Sequence, residues 1–82
     1  MKLTLQSTTK IVMIKPNPLS DGVQARVWEG TSESGIKVHC YITRVELPAV
    51  ESEKADEFRA ELEQCKPPSV EIAALPFSFI LD

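Results

Sequence analysis

Two alternating segments flanking a glycine-bounded loop constrain the fold of this chain more than any other feature. Residues 23–29 read VQARVWE and residues 36–46 read IKVHCYITRVE, with GTSESG between them. Alternation at period two is a strand pattern. Gly30 and Gly35, at the ends of the loop, can supply the positive φ a hairpin connection needs. Pairing Trp28 with Lys37 sets Val27 beside Val38, Ala25 beside Cys40 and Val23 beside Ile42, which keeps the apolar residues on one face. The hairpin predicted over residues 23–46 then gathers Arg26, Trp28, Lys37, His39 and Tyr41 on its other face, with Gln24 at the margin. Val45 and Leu47 break the phase, so a bulge or the end of the strand is expected near Arg44.

The flanking sequence supplies the remaining elements. Residues 2–6 alternate, with Leu3 and Leu5 on one side, as in a half-buried edge strand. Residues 10–15, KIVMIK, are apolar on both sides and suit a more central strand. PNPLSDG, residues 16–22, is a loop, because its prolines remove backbone donors and Asp-Gly favours a turn. A helix is predicted over residues 52–65, SEKADEFRAELEQC. Ser52 is placed to cap it, Glu53, Asp56 and Glu57 suit its positive end, and Ala55, Phe58, Leu62 and Cys65 form its apolar stripe. Lys66-Pro67-Pro68 stops it. The tail is expected to make a short turn and then a strand over residues 77–81. The fold class is therefore α+β, a single domain spanning 1–82. It is a small, mainly antiparallel sheet of four or five strands with one helix packed on it by Ala55, Phe58 and Leu62.

A chain of 82 residues buries a smaller share of its surface than a large one does, so such domains often lean on disulfides, a metal or a second subunit. Cys40 and Cys65 are the two cysteines, and they read as small buried hydrophobes in a reducing compartment. His39 is the single histidine, which leaves no multi-histidine metal site. No cofactor is expected. Oligomerisation remains, and a homodimer or a complex with a partner is the expectation. MKLTLQSTTKIVMIK lacks the continuous apolar core of a signal peptide, and no segment has the roughly 20 apolar residues of a membrane span. The expected location is the cytoplasm.

The net charge of −3 is divided unevenly. Residues 1–46 carry six Lys/Arg and four Asp/Glu, whereas residues 47–82 carry three and eight. That acidic second half argues against general nucleic-acid binding, which needs several cations on one surface. GTSESGIK resembles a phosphate loop in its glycine spacing, but Ile36 precedes Lys37, no hydroxyl follows, and a strand comes next instead of a helix. His39 and Cys40 are neighbours on a strand and point to opposite sides, so they cannot form a local nucleophile pair. No catalytic residue is assigned, and the chain is expected not to be an enzyme.

Two surfaces remain as candidates. Arg26, Trp28, Lys37, His39 and Tyr41 would make an aromatic and cationic face, suited to a protein contact or to stacking a base while a cation holds a phosphate. The plainer alternative is that the helix, the C-terminal strand or a second subunit covers this face. Glu53, Glu57 and Glu61 form an acidic i, i+4 ridge, which is either a solvated face or a secondary interface for a basic partner.

TTKIV, ARVWEGTSESGIKVHCYITRV and EFRAELEQCKPPS together resemble a set of small uncharacterised proteins encoded by bacteriophages and prophages. The resemblance covers most of the chain and brings no active site with it. It implies a phage-derived protein in the host bacterial cytoplasm, of a kind that often binds and blocks a host protein, antiviral defence factors included. The expected function is thus a non-enzymatic accessory binding protein that contacts and occludes a host or phage protein. The alternatives are a protein that sequesters a nucleotide or binds a short single-stranded nucleic acid, and a structural subunit of a virion or other assembly.

Overall fold

The computed structural model describes residues 1–17 and 19–80. Three long strands make an antiparallel meander: β1, Leu3–Lys15; β2, Val23–Ser32; and β3, Lys37–Ile42. A short β4, Ser78–Ile80, runs parallel to the end of β1, giving the order β3-β2-β1-β4. Between β3 and β4 lie a 3₁₀ segment, Ala49–Lys54, the helix α1, Ala55–Leu62, and the one-turn helix α2, Val70–Ala73. The α+β class holds, with three strands antiparallel and the fourth parallel. The predicted C-terminal strand is present at Ser78–Ile80, and Leu81 lies outside the described residues.

The two predicted N-terminal strands are one. Leu3–Ser7 pairs with β2, and so does Ile11–Ile14, but the register shifts between them, so that Thr8, Thr9 and Lys10 all stand opposite Val27. Two extra residues preserve the side-chain phase, and odd positions face the same way on both sides of the bulge. Thr8 stabilises it from within. Its fully buried hydroxyl donates to the Val27 carbonyl at 2.6 Å and accepts from the Lys10 N–H at 3.2 Å.

The hairpin register differs from the expected one. Trp28 stands opposite Cys40, with Glu29 opposite His39 and Val27 opposite Tyr41, a slip of three residues. An odd slip turns every β3 side chain to the other face. The cause is Gly30, which does not begin the turn. β2 runs through it to Ser32, and the connection is Glu33, Ser34 and Gly35. Ser32 N–H donates to Ile36 O at 2.9 Å, Gly35 N–H donates to Ser32 O at 3.0 Å, and Gly35 alone of the two glycines has a positive φ, 86°. This is a three-residue hairpin loop with glycine in the left-handed position. β3 ends at Ile42, in keeping with the phase break expected near Arg44.

The core lies on the face carrying Val12, Ala25 and Val27, and Ile72 of α2 closes it. Among the described residues these are the buried apolar side chains, with Ile14, Tyr41 and Leu75 packed half-buried around them. Helix packing is therefore a correction to the expectation. Ala55, Phe58 and Leu62 of α1 are half-buried, none fully, and the helix that seals the core is α2. Ser69 caps α2 by accepting from the Ile72 N–H at 3.4 Å. The long helix is also shorter than predicted. Ser52 sits inside the 3₁₀ segment and caps nothing, while Cys65 and Lys66 have left the helix. The Lys66 backbone is taken by the β1 bulge instead: its N–H donates to Ser7 O at 3.1 Å and the Thr9 N–H donates to Lys66 O at 2.9 Å.

Candidate binding surfaces

The register divides the five predicted contact residues between the two faces of the sheet. Lys37, His39 and Tyr41 lie on the core face with Val27 and Glu29, whereas Arg26 and Trp28 lie on the opposite face with Val38, Cys40 and Ile42. They do not form one platform. Each group borders its own cleft.

The cleft on the core face, about 370 Å³, is lined by Glu29, Lys37, His39, Lys66, Ser69 and Ile72. Its charges are largely matched internally. Glu29 accepts from Lys66 Nζ and from the Ser69 N–H, both at 3.1 Å. The Ser69 N–H and the Lys66 ammonium hold the Glu29 carboxyl below its ordinary value of 4.5, against a smaller opposing effect of burial. His39 Nε2 and the Tyr41 hydroxyl share a hydrogen bond at 3.1 Å, with their rings edge to face, 5.4 Å apart. Lys37 and His39 are exposed at the rim.

A testable consequence concerns acid. Because Glu29 is depressed in the folded state, its ion pair contributes fully above the unfolded value and is lost as pH falls through the folded one. Glu29→Gln, which can still accept from Ser69, is expected to cost about 1 kcal/mol at neutral pH. That difference from the native chain should shrink as the pH falls below 4.5 and vanish once it is below the depressed folded value, as read by urea unfolding at each pH. A pH-independent difference would mean that the carboxylate charge is not what fastens Lys66 and Ser69 to the sheet.

The cleft on the opposite face, about 430 Å³, is lined by Ile11, Arg26, Trp28, Ile42, Arg44 and Leu62. Trp28 is half-buried at its wall. The Arg26 guanidinium is held in place, donating from Nη1 to the Thr8 carbonyl at 2.8 Å, so the β1 bulge positions this cation. Arg44 stands at the rim, its side chain 78% exposed and paired with Glu46 at 3.1 Å. Pairs that exposed contribute little energy and rearrange readily. The face combines a fixed cation, an aromatic ring and aliphatic walls, groups suited to binding a partner.

A scan against family models, a search of curated proteins and a search of solved structures each found no match to this chain.

The acidic ridge is interrupted. Glu53 belongs to the 3₁₀ segment, while Glu57 and Glu61 belong to α1, where they border a groove of about 240 Å³ with Leu47 and Phe58. Lys54, at the junction, has φ −98° and ψ 14°, so the three glutamates do not share one continuous α-helical face. All three are exposed. Cys40 and Cys65 are both free and half-buried. Among the described residues no group of three or more His, Cys, Asp or Glu is arranged to hold a metal ion, and no helix is long and apolar enough to cross a membrane.

Sequence reasoning missed Glu29, Lys66 and Ser69, which tie the segment after α1 to the sheet. One signal was available. Ser69 follows Pro67-Pro68 and precedes Val-Glu-Ile, a helix-start pattern in which serine caps and an acid occupies the first turn.

Proposed function

We propose that this chain is a non-enzymatic binding protein that contacts another protein through the Trp28 cleft and acts by occluding it. The observation that carries the reading is the half-buried Trp28 in an open cleft, between the aliphatic side chains of Ile11, Ile42 and Leu62 and the fixed guanidinium of Arg26. Tryptophan and arginine in a partly desolvated pocket are the residues on which interface energy concentrates. From the resemblance to phage-encoded proteins, the proposed setting is the cytoplasm of a bacterial host, with a host protein as partner, antiviral defence factors among the candidates. The acidic residues Glu57 and Glu61 are a secondary contact for a basic partner.

Nucleotide or single-strand binding is the weaker alternative. The expected platform of Trp28 and Tyr41 with Arg26 and Lys37 is split between the two faces, so each ring keeps one of the two cations on its side, and the Arg26 guanidinium beside Trp28 already donates to the Thr8 carbonyl. Assembly into a virion structure is carried by no feature of the clefts.

The test compares variants against a host partner isolated on the native chain. Trp28→Ala is expected to weaken binding by about 2 kcal/mol or more, roughly thirtyfold, with the far-UV circular dichroism unchanged. Arg26→Glu should weaken it similarly, and Lys37→Ala should leave it intact. A folded Trp28→Ala chain with full affinity would overturn the assignment. Binding that falls steeply with salt and depends on Lys37 would favour the phosphate-ligand reading.

A further inference from the structure

The Trp28 cleft differs from the other two in the sign of its charge. Its charged lining is Arg26 and Arg44, with no carboxylate among the described residues that border it. The core-face cleft sets Lys37 and Lys66 beside Glu29 and Glu71, and the groove at Phe58 sets Glu51, Glu57 and Glu61 around Lys54. A positive cleft in a chain of net charge −3 is a local feature, so it selects a local negative charge and not a polyanion.

Of the two arginines, one is answered within the chain. Arg44 pairs with Glu46 at 3.1 Å, whereas Arg26 has no acidic partner among the described residues. Arg26 donates from Nη1 to the Thr8 carbonyl, which fixes the guanidinium and leaves the rest of its donor fork for another acceptor. That planar fork matches the two oxygens of a carboxylate. One unmatched positive charge calls for one carboxylate, and a phosphate monoester, at roughly −1.5 to −2, would exceed it.

Covering the cleft makes the match obligatory. Arg26 is already half-buried, in a cleft walled by Ile11, Trp28, Ile42 and Leu62. A protein that seats an apolar side chain against those walls takes the guanidinium out of water. Burying a cation is costly unless an anion pairs with it and fills its hydrogen bonds. We propose, resting on the Trp28 cleft as the contact surface, that the partner presents a short segment in which an Asp or Glu lies beside an apolar residue. Its carboxylate sits bidentate on Arg26 and its apolar side chain packs against Trp28.

The experiment selects random short linear peptides on the full native chain, and again on the Trp28→Ala chain. Peptides that require Trp28 should be enriched in Asp or Glu next to an apolar residue. The best of them is then synthesised with a fluorescein label and its affinity read by anisotropy. Replacing its acid by the matching amide should weaken binding about tenfold or more, because a charge-assisted hydrogen bond is lost while the protein is untouched. On an Arg26→Gln chain the acid and amide peptides should bind alike, which a double-mutant cycle reads as coupling between those two groups. Trp28-dependent peptides that lack an acid, or whose acid can be removed without effect, overturn the carboxylate and leave the cleft reading standing. An acid that matters equally on the native and Arg26→Gln chains overturns its assignment to Arg26. A selection that yields no Trp28-dependent peptide overturns the acidic segment too, and a host partner that still needs Trp28 then keeps the cleft reading.

Discussion

Gly30→Ala is expected to cost this protein about 3 kcal/mol or more, one of the largest effects of any single methyl group in the chain. Gly30 lies inside β2, opposite Leu5, and a Cβ built there would fall on the carbonyl oxygen of Thr4. The Thr4 carbonyl carbon and the Leu5 Cα would also lie within 2.9 Å of it. All three obstacles are backbone, so no rotamer change relieves the contact. Either β1 and β2 move apart, losing ladder hydrogen bonds on both sides of the site, or the N-terminal half of β1 detaches. For a domain of this length, 3 kcal/mol lowers the melting temperature by roughly 12–24 °C. Thermal unfolding followed by circular dichroism reads this directly. Gly35→Ala is the informative control. It has open space around it and a positive φ, so its cost is that of backbone strain, about 1 kcal/mol. Equal melting temperatures for Gly30→Ala and the native chain would mean that β1 and β2 do not approach so closely.

The second large effect is expected at Thr8. Thr8→Val preserves shape and removes a hydroxyl that is fully buried and serves two backbone groups, the Val27 carbonyl and the Lys10 N–H. Each buried group left without a partner costs about 1–3 kcal/mol, so a loss of about 2–6 kcal/mol is expected. Thr8→Ser keeps the hydroxyl and should lose much less, about the value of one methyl group. Comparing the two by urea unfolding isolates the hydrogen bonds from the packing. The consequence reaches the binding surface, because the Thr8 carbonyl also anchors Arg26. A Thr8→Val chain that remains folded at low temperature should therefore bind the partner more weakly than Thr8→Ser. If Val and Ser variants unfold at the same urea concentration, the hydroxyl does not hold the bulge.

Much of the element plan was readable from local chemistry. Period-two alternation marked β2 and β3, the double-sided apolar run KIVMIK marked the C-terminal half of β1, and the proline-rich loop and Lys66-Pro67-Pro68 marked the interruptions. These signals are local because side-chain alternation, a missing backbone donor and helix-breaking sterics each act within a few residues. The α+β class follows from them.

Which residues face one another was decided elsewhere. GTSESG permits a turn beginning at Gly30 or one confined to residues 33–35, and the two differ by a slip that inverts β3. The choice was made by β1, whose backbone at Thr4 occupies the place of a Gly30 side chain and keeps Gly30 inside the strand. The same holds for the end of α1. Cys65 could have continued the helical stripe, but the bulge at Thr8 and Thr9 offered the backbone of the next residue, Lys66, a parallel partner 58 residues back in the chain. The single turn of α2, rather than the longer amphipathic α1, seals Val12, Ala25 and Val27 through Ile72. The sequence by itself determined the strands, the breaks between them and the class. Tertiary structure decided register, faces and core helix, because those depend on backbone approaches and hydrogen bonds between residues far apart in the chain, which no local period encodes.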